Sequence, residues 1–328
     1  MLYRDGVPTT RTDDGILALD NVDRALIARL RRDGRESSRS LAVALAVNEA
    51  TVAGRLRRME EAAIMRVVAV TDMRLFGHCE FAIAQIHTSG RPLNEVASDL
   101  AALPEAVSVT TCTGRCDAIV PIMGRDKSHL GELFGSVLPG VEGVEKVRGS
   151  MALDVVKYDS SWALLSADPG SIPQTEPGET VDALDLDIIH ILQLAARRSN
   201  RSIATELGVS EGTVRSRIKR MLAQRIFRIQ AVSDVVAFGL GAHAFVGIRT
   251  HAGAVDIVAK ALAAREDVAQ LTRTLGDFDL MAVLVTSNRE VLANAVLHEI
   301  SQLPGLRNTE TFDTCATLKH TYAWTWMV

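Results

Sequence analysis

Cysteine and long apolar runs are scarce in this chain, and each scarcity removes a class of protein. Four cysteines among 328 residues cannot lace a disulfide-rich secreted scaffold. Cys112 and Cys116 are spaced more widely than the C-x2-C pairs of zinc sites, and no second pair or matching histidines accompany them. Free buried thiols are the expectation, with no metal. The eight histidines are scattered and form no H-E-x-x-H pattern. Apolar runs break well short of the roughly 18 residues a membrane helix requires. The opening "MLYRDGVPTTRTDDG" has no apolar secretion-signal segment. A cytoplasmic protein without a membrane partner is expected. There is no Walker A motif and no G-x-S-x-G, and the glycines of "GLGAHAFVG" (239–247) miss the G-x-G-x-x-G spacing. Nothing predicts an enzyme or a resident cofactor.

What the chain does have is unevenly spread charge. The formal net charge is −4. Residues 20–66 nevertheless hold ten Arg and Lys against seven Asp and Glu, and residues 182–230 hold nine against five. The remainder carries 17 basic against 28 acidic residues. Two basic islands in an acidic chain present local fields suited to a polyanion, whatever the overall sum.

Each island contains one copy of a short periodic motif, "NEATVAGRLRRM" (48–59) and "SEGTVRSRIKRM" (210–221). Their offset, 162, also aligns Asp23 with Asp185, Leu45 with Leu207, Phe76-Gly77 with Phe238-Gly239, Gly114 with Gly276, Asp117 with Asp279, Lys157 with Lys319 and Trp162 with Trp324. One small compensated slip is expected at the two "LPG" triplets, 138–140 and 303–305. The chain is a tandem duplication. "SADPGSIPQTEPGET" (166–180) reads as an extended linker between the copies, and residues 1–18 as a flexible leader.

The front of each copy reads as three helices. "LDLDIIHILQLAA" puts Leu184, Ile188, Ile191 and Leu192 on one face, with Asp185 and Asp187 at the favourable N-terminal end of the helix dipole. A short helix ends at Gly208, which reaches positive φ without penalty, whereas copy one has Ala46 there. Asn48 and Ser210 are natural N-caps for the third helix. On that helix Val214, Ile218 and Met221, like Val52, Leu56 and Met59, form the apolar stripe. Ala50, Gly54, Arg57 and Arg58 face outward in copy one, flanked by Thr51 and Arg55. Gly212, Ser216, Lys219 and Arg220 do so in copy two, flanked by Thr213 and Arg217. Small residues near the N-terminus would allow close approach to base edges, and the basic residues behind them suit guanine and phosphate. Such a helix-turn-helix predicts double-stranded DNA as partner. An ordinary solvated helix explains one such face less strained than two. Arg66 and Arg228, in the β-rich exits that follow, are either backbone contacts or merely solvated.

The back of each copy reads strand, helix, strand, strand, helix, strand. "FAIAQIHT" (81–88) and "AFVGIRTH" (244–251) alternate, helices follow at 92–103 and 254–265, and tight turns at Gly114 and Gly276 join the next two strands. Helices at 127–138 and 290–302 and a final strand complete a ferredoxin-like βαββαβ order. The fold class expected is α+β: helix-turn-helix domains at 19–66 and 181–228, each followed by a ferredoxin-like domain, at 67–165 and 229–328.

"LDLDIIHILQLAARRSNRSIATELGVSEGTVRSRIKRM" and the turns "TGRCD" (113–117) and "LGDFD" (275–279) resemble the Lrp/AsnC family of transcription regulators over nearly the whole chain, twice. The resemblance implies a winged helix-turn-helix joined to an αβ sandwich through which members self-associate. It also implies an amino-acid effector near the glycine turn. Carried over, the effector residues would be Gly114 and Asp117 in copy one, and Gly276, Asp277 and Asp279 in copy two. Cys116 replaces the aromatic that copy two has as Phe278, which puts one pocket in doubt; a plain structural hairpin accounts for the same residues. One chain would act as a pseudo-dimer, with one, two or four chains assembling. The expected function is sequence-specific, effector-responsive regulation of transcription. The alternatives are an architectural DNA-compacting protein or an amino-acid-sensing regulatory subunit of an enzyme.

Overall fold

A computed structural model describes residues 19–163, 181–321 and 324–325; the leader (1–18) and the linker (166–180) expected from sequence lie outside them. The chain forms two compact units, and each mixes the two copies.

The first unit takes the chain up to Phe76 together with residues 160–238 and 322–325. Copy one supplies α1 (Asn21–Arg32), α2 (Ser38–Leu45) and α3 (Glu49–Glu61); copy two supplies α7 (Ala183–Ala195), α8 (Asn200–Leu207) and α9 (Glu211–Ala223). Asn48 and Ser210 cap α3 and α9, each side chain accepting the N–H three residues on. The turn before α3 is left-handed in both copies: Gly208 has φ 66° and Ala46 has φ 53°. Copy one therefore makes the same turn and bears the steric cost of a Cβ.

Strands β1 (Met65–Asp72) and β7 (Phe227–Asp234) leave the two triplets and pair antiparallel with each other, Met65 opposite Ser233 and Thr71 opposite Phe227. The two-residue strands β6 (Trp162–Ala163) and β12 (Trp324–Thr325) flank them, each beside the other copy's strand. Helix α1 packs on β7 and α7 on β1. The backbone repeats the exchange, since Gly34 N–H donates to Ile229 O and Ala196 N–H to Val67 O. This swapped packing keeps each exit strand, which begins beside the limits expected at 66/67 and 228/229, with the helices of the opposite copy. The compact units divide after Phe76 and Phe238, because each exit strand finds its partner in the other copy. The expected inner face of α7 shifts as well. Leu186, Ile188, Ile189 and Leu192 are buried, while Leu184 and Ile191 are half-buried, because the helix faces β1 as well as its own triplet.

The second unit holds residues 77–159 and 239–321. Copy one supplies β2 (Glu80–Thr88), α4 (Leu93–Ala102), β3 (Ser108–Thr113) and β4 (Ala118–Gly124). Next come α5 (Lys127–Glu132), a π-helical turn, the short α6 (Leu138–Gly140) and β5 (Val144–Tyr158). Copy two repeats this as β8 (Ala242–Thr250), α10 (Val255–Ala263), β9 (Val268–Leu275), β10 (Leu280–Thr286), α11 (Arg289–Asn294) and β11 (Leu306–His320). Strand order within each copy is the ferredoxin-like 4-1-3-2, and the two sheets close into one barrel, β10-β8-β11-β3-β4-β2-β5-β9. The 15-residue last strands make the closure. The first part of β5 pairs with β2 and the rest, from Met151, with β9. Strand β11 divides in the same way between β8 and β3.

Each copy keeps its own core under its helices: Val96, Leu100, Val120 and Ile122 in one, Val258, Leu262, Leu271 and Leu284 in the other. The slip expected at "LPG" does not occur. Gly143 and Gly305, 162 apart, take matching φ of 90° and 88° just before β5 and β11. The shared triplet is a coincidence; the left-handed turn fixes the register.

Candidate nucleic-acid interface and effector turns

Recognition helices α3 and α9 are anchored from below by buried carboxylates. Asp20 and Asp23 form a reciprocal capping box at the start of α1, and Asp182 and Asp185 do so on α7. Asp23 and Asp185 are almost wholly buried, at 0% and 1% exposure. A buried carboxylate must be paired, and the third helix supplies the partners. Arg55 reaches Asp20 at 2.6 Å and Asp23 at 2.9 Å, and Arg58 reaches Asp23 at 2.6 Å. In copy two Arg217 meets Asp182 at 2.7 Å and Asp185 at 2.9 Å, and Arg220 also bonds Asp185. The adjoining guanidinium holds the carboxyls of Asp20 and Asp182 below their ordinary range.

The twelve residues expected to face DNA therefore divide. Arg55, Arg58, Arg217 and Arg220 clamp the third helix onto the first. Arg57 and Lys219 are exposed and make no ion pair among the described residues. Ala50, Gly54, Gly212 and Ser216 are exposed beside them, and Thr51 and Thr213 are half-buried at the start of the helix. No described heavy atom would lie within 4 Å of a Cβ at Gly54, so the outer face of α3 is open there. In the exit strands, Arg228 donates to Ser160 Oγ at 2.6 Å. The D-x-x-D spacing of Asp20-Asp23 and Asp182-Asp185 was the sequence signal for this clamp.

Two further arginines join the heads. Arg35 donates to Arg198 O at 2.8 Å, and Arg197 donates to Gly34 O and Glu36 O at 3.0 Å each. They are 162 apart and reach across in opposite directions. With β1 and β7 they tie both triplets into one unit.

In the barrel, the expected effector residues have two separate roles. Asp117 accepts Thr88 N–H at 2.7 Å and the Thr88 hydroxyl, and Asp279 accepts Thr250 N–H at 2.7 Å and its hydroxyl. Both aspartates brace a hairpin. Gly114 and Gly276 have φ of 135° and 153°, and each turn lies against the other copy's last strand. A Cβ on Gly276 would sit 2.7 Å from Ser150 Oγ, and one on Gly114 would sit 3.3 Å from Thr311 O. The Ser150 hydroxyl is buried with no hydrogen-bond partner among the described residues.

The carboxylate of Asp277 meets Arg115 of the opposite turn at 2.9 Å and Arg148 at 3.4 Å. Arg115 also pairs with Glu310 at 2.8 Å, and Arg249 stands 3.7 Å from Glu310. Arg249 lies over the Phe278 ring, 4.5 Å from its centroid. Arg115, Arg148, Arg249 and Glu310 were not anticipated from the sequence. Aligned at 162, however, Arg115 falls on Asp277 and Arg148 on Glu310.

Beneath the turns the copies are packed differently. Phe278 occupies the space over Gly247, where a Cβ would approach its ring to 2.5 Å, and meets Phe312 edge-on at 6.0 Å. Copy one has Cys116 and buried Gln85 at the corresponding positions. Cys112 and Cys116 are buried free thiols as expected, 3.7 Å apart at sulfur, whereas Cys79 and Cys315 are exposed. The neighbouring Cys116 and burial push the Cys112 thiol up, so it is an inert core thiol. Among the described residues no group of acidic, histidine or cysteine side chains could hold a metal, and no helix is long and apolar enough to cross a membrane.

The architecture is one of duplicated helix-turn-helix triplets whose exit strands pair across copies, together with paired ferredoxin-like sheets. Residues 19–60 and 181–222 match the AsnC-type helix-turn-helix domain, and residues 81–162 and 243–324 match the Lrp/AsnC ligand binding domain. The chain belongs to the Lrp/AsnC family. It is 32% identical over 143 residues to the HTH-type transcriptional regulator FL11 of Pyrococcus abyssi (strain GE5 / Orsay), covering 43% of this chain and 94% of that protein. It is 31% identical over 124 residues to the HTH-type transcriptional regulator Ptr1 of Methanocaldococcus jannaschii, covering 38% of this chain and 84% of that one. The crystal structure of the siroheme decarboxylase NirDL superimposes with a TM-score of 0.66 at 17% identity, covering 92% of this chain and 93% of that one. That likeness is one of fold.

Proposed function

We propose that the chain is a sequence-specific DNA-binding transcriptional regulator, not an enzyme, that responds to an amino acid or related small molecule. The observation that carries this reading is the pair of recognition helices, α3 and α9. Each is capped by a hydroxyl or amide and held by a buried aspartate clamp, and each presents small residues and a free cation outward. Phosphate and base edges are what such a face suits. Arg57 and Lys219 are the first candidates for backbone or guanine contact, with Ala50, Gly54, Gly212 and Ser216 admitting the groove. Arg55, Arg58, Arg217 and Arg220 act on DNA by orienting the helix, their outer N–H groups remaining partly exposed. Because Ala50 differs from Gly212, Gly54 from Ser216 and Arg57 from Lys219, the operator is an imperfect palindrome. The effector binds beside the facing turns, with Asp277 and the backbone of Gly276 and Gly114 as candidate ligands; Asp117 and Asp279 hold the hairpins that present them.

Gel-shift and footprint measurements on DNA upstream of the chain's own coding region test this, with and without a panel of amino acids at fixed salt. A protected site with two similar but unequal half-sites is expected, with affinity shifted by one of the amino acids. Absence of any protected site at low salt would defeat the reading. A second reading, chemistry on a tetrapyrrole, draws its support from the whole-chain likeness to NirDL. An absorbance titration with siroheme separates the two, because the regulator reading expects no saturable spectral change.

A further inference from the structure

The ion-paired cluster at the facing turns is built from residues that exchange sign between the copies. Position 115 is Arg where its counterpart 277 is Asp, and position 148 is Arg where its counterpart 310 is Glu. Three of the four ion pairs, Arg115–Asp277, Arg148–Asp277 and Arg115–Glu310, join a copy-one cation to a copy-two anion, and the fourth, Arg249–Glu310, lies within copy two. A two-fold interface between identical halves brings each position against itself or its neighbour. Two first halves meeting on separate chains would set Arg115 against Arg115 and against Arg148. Two second halves would set Asp277 against Asp277 and against Glu310. Two first halves would gather four arginines with no carboxylate from this cluster, and two second halves would gather four carboxylates against only the two Arg249 side chains.

Other contacts along the seam are shared by both copies. Lys157 donates to Arg265 O at 2.6 Å, and Lys319, its counterpart, donates to Leu103 O at 2.8 Å. Both lysines end on backbone carbonyls of the opposite copy, acceptors that any half would offer. Strand pairing across β5–β9 and β11–β3 is likewise a backbone matter. The four charged side chains that exchange sign distinguish the partners by charge.

We propose that this exchange of sign is a pairing code: each half of the barrel accepts the unlike half and rejects its own kind, so that chains close individually rather than pairing half for like half. Complementary charge selects the partner and like charge excludes the competitor. The fused chain thereby keeps two different heads in one unit.

Full-length variants test the code. R115D/R148E makes both turns acidic and reproduces within one chain what two second halves would present to each other; D277R/E310R makes both basic. Each should melt at least 5 °C below the parent at low salt, with the deficit shrinking at 1 M salt. Mixed one to one, they should form a complex of the two chains whose melting temperature recovers toward the parent. The four-site exchange R115D/R148E/D277R/E310R restores opposite signs and should melt with the parent as the parent assembles. If the two double variants fail to fold alone, recovery in the mixture and in the four-site exchange still carries the test. Double variants that melt with the parent and do not associate on mixing would overturn the code, as would a four-site exchange that stays destabilised.

Discussion

The two heads and the two barrel halves have aged differently. In the heads, the buried aspartates, the arginine clamps, the strand-to-loop hydrogen bonds and the crossing arginines recur at an offset of 162 with the same geometry. In the barrel, the residues under and around the turns differ, and they differ in compensated sets. Phe278 over Gly247 stands where copy one has Cys116 and Gln85. Phe134 over Gly149 stands where copy two has Val296 and Thr311. Volume given up on one strand is filled from the next, which keeps packing density while ending the symmetry. The contacts that cross between the heads recur through the backbone, although position 36 is Glu where its counterpart 198 is Arg. The turns, which meet each other and the opposite copy's last strand, have specialised.

Substitutions at paired positions test this contrast. The largest effect is expected in the barrel. Phe278→Ala should cost about 4 kcal/mol in chemical denaturation and Cys116→Ala under about 1.5 kcal/mol, because a fully buried ring is lost in one case and a thiol in the other. Equal losses would restore symmetry to the turns. In the heads the opposite pattern is expected. Asp23→Ala and Asp185→Ala should each cost about 3 kcal/mol, since each leaves two arginines without their buried partner, and the two values should agree within about 1 kcal/mol.

The barrel should also lose stability in acid. His243 and His320 are both held below the ordinary histidine range by burial, His320 at about 4, where copy one has Phe81 and Tyr158. Because the unfolded chain takes up these protons first, the contribution is fully present above about pH 6.5 and is lost as pH falls toward 4. Thermal melts should register a loss of about 2 kcal/mol across that window, discounted because His320 keeps part of its surface in solvent. His243→Phe combined with His320→Tyr should flatten the profile.

Smaller effects are expected at the DNA-facing surface. Arg57→Ala and Lys219→Ala should each weaken operator binding by about 1 kcal/mol and lower the salt slope by about one, leaving the melting temperature in place. Smallest of all, Ala46→Gly should stabilise copy one by about 0.5–1 kcal/mol, and Gly208→Ala should cost copy two about as much, because both positions are left-handed.

Much of this molecule was legible because it is local. Caps at Asn48 and Ser210, the left-handed turn, the apolar stripe of the third helix and the order of strands and helices depend on neighbours a few residues away. The clamp was only half legible. Asp185 read as a dipole partner, whereas its main work is to receive Arg217 and Arg220 from more than thirty residues on. The "LPG" slip misled because identical letters carry no backbone geometry, and Gly143 and Gly305 carry it instead.

From its letters alone, the chain determined that it is a duplication, that each copy holds three helices and a βαββαβ unit, and that positive charge collects on the third helix. Periodicity and capping are properties of short segments, and a repeated offset needs no coordinates. Only the tertiary structure decided that β1 pairs with β7, that the long last strands close one barrel, and that four of the expected DNA-facing arginines hold buried aspartates. Those outcomes depend on which surfaces meet across the two copies, and separation along the chain gives no measure of that.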